Sequence, residues 1–411
     1  MNEASLVRTP TDRSPGAFWR LWTASSLSNL GDGLYQFALP LLAIEITRSP
    51  SLVSGVTLML TLAWPIFGLH AGSVVDRFDR RSILLLVSVI RVVALGMLTV
   101  AIVSGGLTLP MLYLVALALG IGETLADTAL TALVPATVGA DRLEWANGRI
   151  TAGQTVTNSF VGPPLAGGLL GIGAGFVTGV ATSLYALAAV SLATLSGTGR
   201  APDDPGKVRP PWGVTDGIRF LWRDPILRRL TLFTAAMNVW WATFYALFVL
   251  FAVAPGPLGL TPAALGTLIV AMSIGGIVGS LWASRISNVV GAKNALLIDL
   301  VGTALLIGVP ALTTNPWLVA VAMTAAGFGS GIWVVLVGSI RQRLTPDPLL
   351  GRAYSASRLI SWGVLPIAAA AAGVTAELIG IQSVFAIGGL VSVGLFLAFL
   401  LAVSSDELRS G

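Results

Sequence analysis

Five ionisable residues stand inside long apolar stretches of this 411-residue chain: Asp32, Arg91, Glu123, Asp127 and Asp299. A charge at the centre of a bilayer costs about 2.5 to 3.5 kcal/mol on insertion scales, so each needs a partner, a proton or a task. At 1.5 Å of rise per helical residue, Asp32 lies about 21 Å into its apolar run, Glu123 about 18 Å from the end of its own, and Arg91 and Asp127 about 12 to 14 Å deep. Glu123 and Asp127 are four residues apart, so they share a helix face and repel each other if both are ionised. The matching depth of Arg91 predicts that it pairs with Asp127. Glu123 is then the less satisfied carboxylate and the one expected to exchange protons. Asp32 lies between Gly31 and Gly33, a triplet that loosens a helix and lets backbone approach a ligand. Proton or cation binding is the chemistry this set can perform. A structural alternative stays open, in which Asp32 caps a helix break and Glu123 completes a buried network with Arg91. Asp299 and Glu45 lie nearer helix ends and are expected to snorkel or cap.

Other chemistries lack their residues. With no cysteine there is no disulfide, thiolate metal site or cysteine nucleophile, and one histidine, His70, supports neither a zinc site nor a Ser-His-Asp hydrolase. No metal, no cofactor and no enzymatic activity are therefore expected. Gly206-Lys207 stands before Val208 without a phosphate-binding loop, which argues against an ATP-driven pump. The net charge of +5 comes from scattered basic residues with no interleaved aromatics, so nucleic acid is not an expected partner.

The elements that hold these charges follow from composition. The chain is 55% hydrophobic and only 10% charged, with a mean hydropathy of +0.85, far from the roughly 25% charge of a soluble domain. A spanning helix needs about 20 apolar residues, and apolar runs between breakers predict twelve: 18–46, 52–75, 82–104, 108–135, 150–172, 176–197, 228–254, 263–284, 292–312, 316–339, 355–379 and 383–403. The polar residues 1 to 16 do not read as a cleavable signal. Of the 24 Lys and Arg residues, 22 fall on one side, at its loops or the helix ends beside them, Arg48 alone falls in the loops of the other, and Arg91 sits deep inside the third span. Basic loops stay cytoplasmic, so both termini are expected there, in the inner (plasma) membrane. The predicted organisation is a six-helix bundle over 1–197, a cytoplasmic linker over 198–227 and a second six-helix bundle over 228–411. Within the linker, Ile218, Phe220, Leu221 and Trp222 alternate with charges and predict a helix lying on the membrane surface.

Repeats support two halves. Gly148-Arg149 with Pro163 recurs as Gly351-Arg352 with Pro366, both offset by 203 residues, and Gly72-Ser73 recurs as Gly279-Ser280, offset by 207. The loop Gly72-Ser73-Val74-Val75-Asp76-Arg77-Phe78-Asp79-Arg80-Arg81 resembles the signature of the major facilitator superfamily, departing from it at Asp79, where glycine is usual. Gly162-Pro163-Pro164-Leu165-Ala166-Gly167-Gly168 is similar to the Gly-Pro-x-x-Gly-Gly motif of that superfamily's antiporters, and Ser28 to Gly33 looks like the first span of its bacterial drug and siderophore exporters. Physically, Gly72, Gly162, Gly167 and Gly168 permit close helix contact, and Pro163 bends its helix and frees a carbonyl.

The resemblance implies twelve helices in two pseudo-symmetric bundles around a midplane cavity. It makes Gly72, Asp76, Arg77, Arg80 and Arg81 a conformational latch, with His70 packed beside it. It turns Asp32 and Glu123 toward one aqueous space, with Arg91 and Asp127 nearby as coupling groups, and sets Asn238, Trp240, Trp241, Tyr245 and Trp333 across the cavity as a wall for a large amphipathic or cationic substrate. The expected function is export of a drug-like or siderophore-like compound by proton antiport, by a monomer whose partners are substrate, protons and lipid. A facilitator or importer of a small metabolite is the alternative, and a non-transporting receptor or membrane enzyme a more distant one.

Overall fold

Prolines open many of the helices, each just after a residue able to cap. Ser49, Asp224, Thr261 and Asn315 accept hydrogen bonds from the first-turn amides of helices that begin at Pro50, Pro225, Pro262 and Pro316. Proline has no amide to leave unsatisfied there, and its fixed φ suits the first turn. In the computed structural model, which describes residues 15–138, 142–195, 214–346, 349–405 and 407, the chain is helical almost throughout. Leu69, His70, Gly72, Ser73 and Asp76 are among the few described by backbone alone, so the side-chain roles expected of His70, Gly72 and Asp76 lie outside the description.

The first half comprises α1 (Pro15–Ile46), α2 (Pro50–Arg77), α3 (Arg80–Val103), α4 (Leu109–Thr137), α5 (Leu143–Gln154), a π-helical segment Thr155–Val161, α6 (Gly162–Ile172) and α7 (Ala174–Ala193). After α8 (Val214–Arg223) come α9 (Pro225–Ala252), α10 (Pro262–Val290), α11 (Ala292–Leu312), α12 (Pro316–Leu344), α13 (Leu350–Gly363), α14 (Leu365–Ile379) and α15 (Ile381–Ala402). Among the described residues, ten segments are long and apolar enough to cross a bilayer. The other two of the twelve spans are α1, diluted by serines, Asn29 and Asp32, and the interrupted run α5–α6. The fold is an all-α membrane protein of twelve spanning helices.

Within the first half α1 packs on α6 and α7, α3 on α4 and α7, and α2 on α4; within the second, α12 packs on α10 and α11, and α11 on α15. The halves meet through α2 against α14 and α6 against α10. These seams lie toward the end opposite the basic loops. There Ser49 Oγ and Ser51 Oγ donate to the Glu377 carboxylate at 2.6 and 3.1 Å, and Arg48 donates to the Ala254 carbonyl at 3.2 Å. Glu377→Ala is expected to loosen this clasp modestly, by less than about tenfold in the closed-to-open ratio, because exposed polar pairs are weak. Accessibility of a cysteine introduced beneath it reads the change, and unchanged labelling would show the clasp to be idle.

The helix expected on the membrane surface packs on protein instead. Leu221 is fully buried beside Leu227, Ala353 and Ala356, and Gly217 meets the Arg352 backbone, so α13 covers the apolar face of α8.

Candidate functional site

Tyr185 is wedged against Gly31, where a Cβ would come within 2.9 Å of its ring. That contact aims the phenol at the next residue: Tyr185 Oη donates to Asp32 Oδ1 at 2.6 Å. Arg91 Nη1 lies 3.3 Å from the same oxygen and donates to Ser28 Oγ at 3.0 Å. The Arg91 guanidinium sits 5.0 Å from the centroid of the Tyr185 ring and packs under Gly122 of α4. Asp32 and Arg91 are 5% and 2% exposed, so this is an ion pair held out of solvent, and the Arg91 Nε and Nη2 atoms have no protein partner.

Here the structure corrects the expected pairing: Arg91 bonds Asp32, not Asp127. Depth along the bilayer fixes only one coordinate of a side chain, and helix azimuth brings α1 to Arg91. Glu123 has no direct bond to Arg91 and joins the pair only through Tyr35, which lies between Asp32 and Glu123. It accepts from Tyr35 Oη at 3.1 Å and from Gln36 Nε2 at 3.2 and 3.3 Å.

Asp127 faces open space. A void of about 40 Å³ is lined on its polar side by Asp32, Arg91, Asp127, Ser25, Ser28 and Asn29, and otherwise by apolar side chains such as Leu84 and Leu130; it has room for about three waters by the usual ~10–15 Å³ criterion. Asp127 also lines a larger cavity of about 430 Å³ with Trp64, Thr131, Asn147, Gln154 and Arg358. A neighbouring cavity of about 290 Å³ shares Trp64, Thr128 and Arg358 and adds Tyr354 and Trp362. Asp127 thus stands between the buried ion pair and the central cavity, whereas Glu123 is not among the lining residues of any of the three.

The aromatic wall expected from α9 and α12 turns into its own bundle. Trp333 is 4% exposed, donates to Thr234 Oγ1 at 3.1 Å and packs on Phe399. Trp241 donates to Thr303 Oγ1 at 3.2 Å, Asn238 donates to the Ser361 carbonyl at 2.7 Å, and Trp240 packs against Gly388. Tyr245 is 46% exposed beside Trp241. Polar hydroxyls between helices satisfy these N–H groups, and composition alone does not reveal that. The cavity's aromatics come instead from α2 and α13, and its cation is Arg358. Arg358 is counted among cytoplasmic loop charges when read from sequence, although it lies inside the predicted span 355–379. That position was the available signal.

Asp299, expected to snorkel, is 3% exposed with Oδ1 unpartnered, and its backbone abuts Gly329 of α12.

The two motifs have local physical roles. Asp79, in place of glycine, caps α3 by accepting from Ser82 N and Oγ, both at 2.8 Å. Arg80 donates to the Ala132 carbonyl at 3.0 Å, and Arg81 to those of Leu192 and Ala193 at 3.0 and 2.6 Å, all near helix C-terminal ends where cations are favoured. Arg77 is exposed. In the other motif, Pro163 cannot donate to the Ser159 carbonyl, and Ser273 of α10 donates to it at 3.3 Å. The π-helical turn preceding it fits the same missing bond. A Cβ at Gly162 would lie 2.7 Å from Gly33 Cα and one at Gly167 2.6 Å from the Pro262 carbonyl oxygen, while Gly168 meets nothing. The motif therefore builds the crossing of α6 with α1 and its seam with α10.

Comparison with known proteins accords with this architecture. A family model described as a transmembrane secretion effector matches residues 12–409. The chain belongs to that family, within the major facilitator superfamily. It is similar to the enterobactin exporter EntS of Citrobacter koseri, 30% identical over an alignment of 421 residues covering 100% of this chain and 97% of the relative. It is also similar to the EntS of Salmonella typhimurium, 29% identical over 86% of this chain and 84% of that protein. Among solved structures, the nucleoside transporter NupG superposes with a TM-score of 0.73 at 15% identity, over 94% of this chain and 98% of that one. A bacterial homologue of the iron transporter ferroportin in an inward-facing state gives 0.71 at 16%, over 93% and 98%. At such identities the structures share the fold. The family makes the chain a multi-pass membrane transporter and not an enzyme.

Proposed function

We propose that this protein exports a small amphipathic compound from the cytoplasm in exchange for protons, by alternating access. The halves, 1–197 and 228–411 joined by 198–227, rock about the midplane cavity in the inner (plasma) membrane, and the chain acts as a monomer. The basic end, and with it both termini, is cytoplasmic by the distribution of Lys and Arg. Curated relatives named as enterobactin exporters support outward movement of a siderophore-like or drug-like cargo.

The observation that carries the reading is Asp127, lining both the void at Asp32–Arg91 and the large cavity. Three carboxylates, Asp32, Glu123 and Asp127, stand near one guanidinium, Arg91. Fully ionised, and with Arg358 across the cavity as the second cation, they leave one negative charge uncompensated inside the membrane, a cost that a bound proton or a cationic group removes. Seams between the halves at the far end leave the cavity to fill from the basic end, where cargo is loaded. After reorientation, protons from outside reach Asp127 and, through the void, the Asp32 pair. Neutralising Asp127 removes an acceptor for cargo, so release and protonation are linked.

Proteoliposomes with a trapped pH dye test this. Asp127→Asn and Asp32→Asn are expected to lose proton-driven uptake by roughly tenfold or more, tenfold being the equivalent of 1.4 kcal/mol of lost linkage, while downhill equilibration of cargo persists. Glu123→Gln is expected to weaken coupling less, because Tyr35 and Gln36 still hold the side chain. Undiminished proton flux in all three variants would defeat the assignment.

A further inference from the structure

Arg358 of α13 is a cavity-lining guanidinium that forms no contact ion pair among the described residues, although the charge of Asp127 acts on it across the cavity. Its carbon lies 4.0 Å from the centroid of Trp64 on α2 and 4.6 Å from that of Trp362 on α13, and the two indoles meet edge to face at 5.4 Å. Cation–π contact of this kind holds a guanidinium over rings while leaving its N–H donors unused. The described residues supply none with a hydrogen bond or an ion pair: Nε is buried without a partner, and no carboxylate lies within salt-bridge distance. Arg358 nevertheless lines both large cavities.

Asp127, on the opposite half, lines one of those cavities with it and forms no pair with it. The cavity therefore presents a planar donor fork on one wall and a carboxylate acceptor on the other. Trp64 and the apolar Leu130, Val134 and Ile150 line the same cavity, and Leu359 and Trp362 line the neighbouring one beside Arg358. A purely cationic cargo would satisfy Asp127 and meet an unpaired arginine. A purely anionic one would do the reverse. Unpaired charges in a confined site are costly, so the site discriminates against both.

We infer that the cavity takes bipolar amphipathic compounds, an acidic oxygen group paired with Arg358 and a hydrogen-bond donor such as an ammonium or hydroxyl facing Asp127, with an aromatic or apolar body between. The inference rests on the reading that this cavity carries the cargo, and it deepens it. A proton on Asp127 displaces the cargo's donor without touching its acid. Competition at one end of a two-ended site thus suffices for exchange, and Arg358 sets specificity independently of the proton.

Three fluorescent probes separate the ends: Nα-dansyl-lysine carries an acid and, beyond an apolar chain, an ammonium, dansylcadaverine carries only the ammonium, and N-dansyl-norleucine only the acid. Binding to the detergent-purified protein is followed by dansyl emission. Wild type is expected to bind dansyl-lysine about tenfold or more tighter than either single-ended probe, each lost partner being worth on the order of a decade. Arg358→Gln should bring dansyl-lysine to the level of dansylcadaverine, and Asp127→Asn to the level of dansyl-norleucine. Arg358→Lys keeps the charge but not the planar fork, and should retain part of the preference even where Arg358→Gln is poorly folded. Equal binding of dansylcadaverine and dansyl-lysine to wild type overturns the inference without any variant, as does an unchanged preference in a monodisperse Arg358→Gln. Proton-coupled export of dansylcadaverine alongside that result would leave the export reading standing. Bipolar preference without proton flux would instead remove the coupling reading and leave the site.

Discussion

Gly327→Val is expected to cost the second half its packing, with loss of monodisperse protein and destabilisation of about 3 kcal/mol or more. α10 and α12 approach so closely that their backbones touch through two glycine pairs at four-residue spacing. A Cβ at Gly327 would collide with the Met272 carbonyl, and one at Gly331 with that of Gly276; from the other side, Gly275 faces the Thr324 carbonyl and Gly279 that of Phe328. Lipid provides no hydrophobic drive between helices, so close packing of this kind supplies much of the association. Overfilling an ordinary core costs about 1–3 kcal/mol, and here the obstruction is main chain, which cannot change rotamer. Gly338→Val on the same helix meets nothing within 4 Å and is the matched control, expected to be neutral. Size-exclusion profiles and thermal midpoints in detergent compare them. A Gly327→Val protein as monodisperse and as thermally stable as the Gly338→Val protein would refute the argument.

That seam was legible in outline, since Gly275/Gly279 and Gly327/Gly331 are small-residue repeats within apolar runs, yet only Gly279 enters the sequence reading, as part of a repeat. The spans themselves were readable because lipid demands that each backbone amide bond within its own segment, leaving apolar run length as nearly the whole signal. The site was readable in membership and misread in pairing. Asp32, Arg91, Glu123 and Asp127 stood out by their cost, but which helix faces which is a matter of azimuth. Tyr185 carries no such cost and was invisible in an apolar run, although Gly31 beside Asp32 made room for it. Trp333 and Trp241 misled in the opposite direction. Indole N–H groups bonded to Thr234 and Thr303 on neighbouring helices belong to a packed bundle, and a hydroxyl 99 or 62 residues away along the chain gives no hint of that partnership.

Arg91→Met should destabilise the protein by about 3–5 kcal/mol, the usual cost of leaving one member of a buried ion pair alone. Asp32 would retain its tyrosine partners, Tyr185 and Tyr35, and the void beside it, but no cation. Asp32→Asn should cost less than this, because the amide carries no charge and still accepts from Tyr185, yet it strands a guanidinium whose Nε and Nη2 already lack protein partners. Ser28 alone then holds it. The double variant removes both charges together, and its cost should fall short of the sum of the singles by about 1–3 kcal/mol, the coupling typical of contacting groups. SDS titration in mixed micelles measures all three against wild type. Additive losses would mean that Asp32 and Arg91 do not stabilise one another in the folded protein, and Asp32 would then have to be charge-neutral or partnered elsewhere. A strong coupling has the converse meaning for transport: an Asp32 held this firmly by Arg91 gives up its ionised state only when the proton's arrival is accompanied by movement of Arg91, which ties the chemistry of one carboxylate to the packing of α1 against α3, α4 and α7.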